Sequence, residues 1–206
     1  MLTFYITRHG ETEWNVQSRM QGWGDSELTK NGIRNAKLLG ERLKDVDFQA
    51  IYSSPSKRTQ STSALIRGNR DIPILFDENL REIHMGDWEG KTRVFLEEND
   101  ASNFHAFWNT PHLYVPTKGE QFIDLQERVL KAIDGIKQSN ESGNVLIVTH
   151  TAVIKVLLAY FKKLPMENLW DPPYIHDTSL TMIEFDGNEV RVMMEGDVSH
   201  WGESNE

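Results

Sequence analysis

One short run constrains this chain more than any other: Asn144 to Thr149, reading Asn-Val-Leu-Ile-Val-Thr. It is apolar and branched almost without interruption. A strand with one wet face would alternate, so this pattern belongs to a parallel strand covered on both faces. A helical pattern begins near Thr151, and its apolar run through Phe161 is broken only by Lys155, as in a buried helix. A buried strand feeding directly into a buried helix is the unit of an α/β layer structure.

The rest of the chain supplies the neighbours such a strand needs. Leu2 to Thr7 reads as a first strand, followed by a polar, Gly-containing stretch through Asp25 and a helix from Leu28 to Leu43. Thr29 stands as its N-cap, and Ile33, Ala36, Leu39 and Leu43 recur at helical spacing. Phe48 to Ser53 is a second strand leading through Ser54-Pro55-Ser56 into a helix ending near Arg67, and Ile72 to Phe76 is a third strand. From Asp77 to Gly119 the alternation dissolves into an aromatic-rich excursion with Gly86, Gly90 and Pro111, in which Arg93 to Trp108 has room for short helices. Glu120 to Gln138 is again helical, with Phe122, Leu125, Val129, Ile133 and Ile136 in one stripe. Finally, Ser179 to Phe185 and Glu189 to Met194 flank Asp186-Gly187-Asn188, a hairpin signal.

With no repeat and no linker, residues 1–206 read as one domain, with 77–119 as a lid or insertion segment. The expected architecture is a three-layer α/β sandwich. A mainly parallel central sheet carries helices on both faces, an antiparallel edge hairpin, and a helical or loop insertion over the active site.

Composition narrows the chemistry. Twenty-two Lys plus Arg against 31 Asp plus Glu leave a formal charge of −9, which disfavours nucleic acid and anionic membrane surfaces as partners. An anionic ligand must then be held by a local cluster of cations. The absence of cysteine excludes disulfides, thiolate metal sites and cysteine nucleophiles. The apolar stretch within Met1 to Arg8 is too short for a signal peptide, so a cytoplasmic location is expected. His84, His105, His112, His176 and His200 show no metal-ligand spacing, so no metal and no cofactor are expected.

Three candidate residues sit where strands end. Arg8-His9-Gly10 closes the first strand, His150 closes the central one, and Arg58 lies near the first turn of the helix after the second. In open α/β sheets that rim holds ligands. Singly, each histidine also reads as an ordinary hydrogen-bonded residue, and a lone Arg58 as solvated surface.

Taken together, the motifs are similar to those of the histidine phosphatase superfamily, which includes the cofactor-dependent phosphoglycerate mutases. Arg8-His9-Gly10-Glu11-Thr12 with Trp14-Asn15 resembles its signature, and Gln21-Gly22, Asp25, Leu28-Thr29 and Gly32 continue it. Ser53-Ser54-Pro55 with Arg58-Thr59 and Thr62-Ser63-Ala64 follow, then Leu80-Arg81-Glu82 with Gly86-Asp87-Trp88-Glu89-Gly90. Gly119-Glu120 with Phe122 and Arg128-Val129, and Val148-Thr149-His150, complete six ordered blocks from residue 3 to about 185.

The resemblance implies a metal-independent phosphomonoesterase. His9 would be the nucleophile that forms a phosphohistidine, while Arg8, Arg58 and His150, the last as an imidazolium, would stabilise the phosphoryl oxygens. Glu82 would be the proton donor, against the alternative of a surface salt bridge with Arg81. Asn15, Gln21, Gly22 and Thr151 would bind substrate, and Glu11 and Glu89 would orient loops. Thr151 departs from the Gly usual in the family, and its hydroxyl is a candidate cap for the following helix. The expected partner is a small-molecule phosphomonoester, with inorganic phosphate as product; oligomeric state is not legible.

Two other functions compete with hydrolysis. A phosphoglycerate mutase would resemble Glu-Arg-His-Tyr-Gly after the acid, where this chain has Glu82-Ile83-His84-Met85-Gly86. A catalytically inactive phosphate-binding scaffold would need neither His9 nor Glu82. Trp23, Trp88, Phe107 and Trp108 have two readings, a minor core under the insertion or an apolar wall for the organic part of the substrate.

Overall fold

The computed structural model describes residues 1–187 and 189–202. Its first strand, β1 (Leu2–Arg8), is apolar on both faces: Phe4 and Ile6 enter one core, while Tyr5 packs against another on the opposite side. Such a strand must be covered twice, and the chain delivers a helical layer to each face. After β1 come α1 (Glu13–Val16), α2 (Lys30–Arg42), β2 (Phe48–Ser53), α3 (Lys57–Arg67) and β3 (Ile74–Phe76). Next are α4 (Arg93–Asn99), α5 (Ala101–Asn109), α6 (Phe122–Ser139), β4 (Gly143–Thr149), α7 (Thr151–Phe161), β5 (Leu180–Asp186) and β6 (Glu189–Asp197).

The strands form one sheet in the order β3-β2-β4-β1-β5-β6, parallel from β3 to β1 and antiparallel through β5 and β6. Val145 and Ile147 of β4 share a core with α6 and α7, whereas Leu146 and Val148 share one with Leu39 of α2 and Ile66 of α3. This is the expected sandwich with its antiparallel edge hairpin. Asp186 pairs with Glu189 across the hairpin end, and Asn188 lies outside the described residues. Among the described residues, no helix is long and apolar enough to cross a membrane.

The stripe on α6 is as expected, with Phe122, Leu125, Val129, Ile133 and Ile136 all buried. Each contributes about 1.5–3 kcal/mol by leaving water. On α2 the buried face is turned instead toward Gly32, Asn35, Ala36 and Leu39, leaving Ile33 37% exposed. The cause is a close main-chain approach: a Cβ on Gly32 would lie 2.2 Å from the Glu11 carbonyl oxygen, and one on Gly10 would lie 2.7 Å from that of Gly32. Periodicity alone does not see that contact. Nor does it see α1, a single turn closed by reciprocal Thr12–Asn15 capping bonds inside what reads as a polar loop.

Within 77–119, short 3-10 turns at Glu78–Leu80, Gly86–Trp88 and Pro111–Leu113 join α4 and α5. Trp88, Phe104, Phe107 and Tyr114 are buried together there, and Phe107 and Tyr114 also meet Phe122 of α6.

Candidate active site

The strand order builds the site. Because β4 lies between β1 and β2, the connection leaving β1 passes over a switch in strand order, and a crevice opens at the carboxyl ends of β1 and β4. Arg8 pairs with Thr149 in register, so the next residues, His9 and His150, emerge side by side with ring centroids 5.3 Å apart. A cavity of about 330 Å³ opens there, lined by Arg8, His9, Asn15, Gln21, Gly22, Arg58, Glu82 and Thr151 among others. Eight of the nine expected site residues therefore meet at one place, and the ninth, His150, stands behind Arg58.

His9 is buried, and its Nδ1 lies 2.8 Å from the Gly10 carbonyl oxygen. A carbonyl only accepts, so Nδ1 carries the proton and Nε2 is left with the lone pair. Burial, with the positive charges of Arg58 and Arg8, holds the imidazole pKa well below 6.5, so the ring is neutral near pH 7. The main chain behind it is fixed as well: the Thr178 N–H points at the carbonyl oxygens of Arg8 and His9, and the Gly10 N–H donates to Thr62 Oγ1.

Arg58 is 1% exposed, so the solvated-surface reading fails. One terminal nitrogen donates to Gly24 O and Asp25 Oδ1, and the other to Gly22 O and His150 Nδ1. Asp25 also accepts from the N–H groups of Lys57 and Arg58, capping α3 from a neighbouring loop because Ser56 makes no side-chain cap bond. Arg8 donates through one terminal nitrogen to Ile175 O. The Nε atoms of both arginines are buried without a hydrogen-bond partner.

His150 is fully buried, its ring beside that of His9 and behind the residues that line the cavity. Its Nδ1 faces a guanidinium, which can only donate, so that nitrogen accepts and the proton sits on Nε2, 2.8 Å from Ser54 Oγ. Burial and the nearby Arg58 hold its pKa well below 6.5. Thr151 does not cap α7: the N-cap is His150, and Thr151 is the first helical residue.

What faces the start of α7 is Glu82, whose carboxyl accepts from the N–H of Ile83 at 2.9 Å and of Ala152 at 3.4 Å. Glu82 is only 8% exposed, and Arg81 pairs with Glu78 instead, so the surface salt bridge is absent. Burial raises the Glu82 pKa, opposed by those two N–H groups and by Arg58. Arg128, beneath, donates to the carbonyls of Asn79, Arg81 and Glu82 and pairs with Glu120, which in turn accepts from the His84 N–H.

Asn15 lines the cavity with its amide oriented by α1, because Oδ1 accepts from the Thr12 N–H and hydroxyl and Nδ2 is left to donate elsewhere. Gly22 holds φ +53°, and a Cβ there would lie 2.5 Å from the Glu89 carboxylate. That carboxylate accepts from the Trp23 and Met85 N–H groups, and Glu11 accepts from the Thr29 hydroxyl. Both acids thus hold loops.

The aromatic readings divide between wall and core. Trp108 lines the cavity, Phe107 reaches it from the minor core that it shares with Trp88, and Trp23 stacks on His84 outside it while donating to the Glu82 carbonyl. Trp170 joins the wall, its ring centroid 4.8 Å from Trp108 and its N–H bonded to Phe107 O. Sequence reasoning missed Trp170 because it lies far from the aromatic segment along the chain. Among the described residues, no group of three or more His, Cys, Asp or Glu is arranged to hold a metal ion.

A model of the histidine phosphatase superfamily (branch 1) matches residues 4–197. The structure of Bacillus stearothermophilus YhfR is similar at TM-score 0.95 and 52% identity, covering 97% of this chain and 99% of that one. The adenosylcobalamin/alpha-ribazole phosphatase of Escherichia coli (strain K12) is 31% identical over 169 residues, 82% of this chain and 83% of the relative. Phosphoglycerate mutase-like protein 4 of Arabidopsis thaliana is 32% identical over 203 residues, 97% of this chain and 86% of the relative.

Proposed function

This chain belongs to the histidine phosphatase superfamily, and from that premise we propose that it hydrolyses phosphomonoesters through a phosphohistidine at His9. The observation that carries the reading is the pairing, in one cavity, of a neutral His9 whose Nε2 bears the lone pair with the two arginines Arg8 and Arg58. Nε2 attacks phosphorus as the ester P–O bond breaks, and Arg8 and Arg58 stabilise the charge on the equatorial oxygens. His150 acts through Arg58, whose terminal nitrogen it accepts from. Asn15 donates to the phosphoryl group without adding charge, and Gln21, Gly22 and Thr151 complete the binding surface.

Glu82 gives its proton to the leaving alkoxide. As a carboxylate it then takes a proton from water, whose oxygen attacks phosphorus, freeing His9 and inorganic phosphate. Burial supports this role by keeping the acid protonated above the ordinary carboxylate range.

The organic part of the substrate lies against Phe107, Trp108 and Trp170, which favours esters with a bulky or aromatic group over small, highly charged ones. In this reading the chain works as one domain and 77–119 is its lid, since α5 brings Phe107 and Trp108 over the phosphate pocket.

The mutase alternative has support from the Arabidopsis relative's name, but this chain places Ile83 and Met85 after the acid, and Ile83 is fully buried. Measuring kcat/KM on an aryl phosphate and on 3-phosphoglycerate, with and without a bisphosphorylated primer, separates the two. Faster release of phosphate from the aryl ester is expected; rapid primer-dependent isomerisation of 3-phosphoglycerate without phosphate release would overturn hydrolysis.

A further inference from the structure

Lys155 interrupts the apolar run of α7 and is buried, 6% exposed. A buried ammonium is costly unless its protons are bonded, and Lys155 Nζ donates to the carbonyls of Asp171 and Pro173, the latter at 3.1 Å. These carbonyls belong to the segment 171–178 before β5, whose Pro173, Tyr174 and Ile175 line the cavity. Further along that segment, the Ile175 carbonyl accepts from Arg8 at 3.0 Å, and the Thr178 N–H lies 3.1 Å from Arg8 O and 3.4 Å from His9 O. Thr178 holds φ +51°, a left-handed conformation unusual for a β-branched residue, and its hydroxyl accepts from the Trp201 indole N–H at 3.1 Å. The segment is therefore pinned at both ends, and its middle touches the phosphate-facing arginine.

We infer that Lys155 is a positioning residue: by fixing the Asp171 and Pro173 carbonyls, its ammonium sets the Ile175 carbonyl that aims the Arg8 guanidinium into the phosphate pocket. The inference rests on the phosphatase reading for Arg8; because Lys155, Pro173, Tyr174 and Ile175 also line the cavity, its test separates an effect carried through Arg8 from direct contact with the organic part of the substrate. A residue acting only through Arg8 must affect every phosphate ligand alike.

The test compares Lys155→Met, Lys155→Arg, Arg8→Lys and the double variant Arg8→Lys/Lys155→Met. Vanadate and inorganic phosphate affinities are measured together with kcat/KM on an aryl, an alkyl and a bulky aromatic phosphate, below the melting temperature of each variant. Lys155→Met is expected to lose roughly 10–100-fold in kcat/KM on all three esters equally, with weaker vanadate binding, because a small misplacement of a charge-stabilising group costs that much. Lys155→Arg, which can bond both carbonyls, restores most of it. In the Arg8→Lys background the loss shrinks to about twofold or less, as for two residues acting as one unit. A full loss in that background, or a loss confined to the bulky ester, would overturn the inference. Should Lys155→Met not fold, Lys155→Arg decides alone: vanadate affinity and ester preference close to wild type support the inference, and a selective loss on the bulky ester overturns it. A wild-type protein that hydrolyses none of the three esters would count against the phosphatase reading instead.

Discussion

Replacing Arg128 by Met should damage stability and one specific step of catalysis together. Arg128 and Glu120 are 14% and 19% exposed, and Arg128 also satisfies three main-chain carbonyls, including that of Glu82. Although burial pushes the Glu120 pKa up, its bonds with Arg128 and the His84 N–H hold it below the usual carboxylate range, so Glu120 stays charged and loses its partner in the variant. Breaking one side of a largely buried ion pair costs about 3–5 kcal/mol. For a chain of this size that lowers Tm by about 6–20 °C. The loop carrying the proton donor is also released, so kcat/KM on alkyl phosphates should fall roughly 10–100-fold, while activated aryl phosphates, whose leaving groups need little protonation, fall by about threefold or less. Thermal denaturation and a leaving-group series on Arg128→Met and Arg128→Lys measure both, with Arg128→Lys between wild type and Met. A Tm change under about 3 °C, or equal slowing of both ester classes, would refute the reasoning.

The pH dependence of kcat/KM should be a bell. Its rising limb marks loss of the His9 proton, below 6.5, and its falling limb marks ionisation of Glu82, above 4.5. Glu82→Gln removes the falling limb, and a falling limb that persists in that variant contradicts the assignment. Trp108→Ala should lower kcat/KM on a naphthyl phosphate roughly tenfold and on glycerol phosphate by about twofold or less, since one aromatic contact contributes about 1 kcal/mol beyond area burial; equal losses would remove the wall from the account. With Arg8 and Arg58 supplying the positive charge, hydrolysis should persist in excess chelator; loss restored by a divalent metal would contradict this.

The sheet was legible because its strands are apolar on both faces: Val145 to Val148 can sit only between two helical layers. The site was legible wherever a residue follows directly on a strand end or carries a motif, as at His9, Glu82 and Arg58. Asp25, Ser54, Arg128 and Lys155 fall inside familiar or apolar runs, yet each role comes from a bond to a residue distant in sequence, such as Asp25 with Arg58 or Lys155 with Pro173. Neither period nor spacing encodes such bonds. The charge state of His150 is not legible for a related reason. The motif brings it beside arginines, but only the structure places a guanidinium on its Nδ1 and a serine on its Nε2.

The most direct test of the central claim is to trap the phosphorylated enzyme. Brief mixing with a radiolabelled phosphomonoester, an alkaline quench and peptide mapping should place a single acid-labile, alkali-stable label on His9, absent from His9→Ala. Label that persists in His9→Ala, or maps to another residue, would contradict the account.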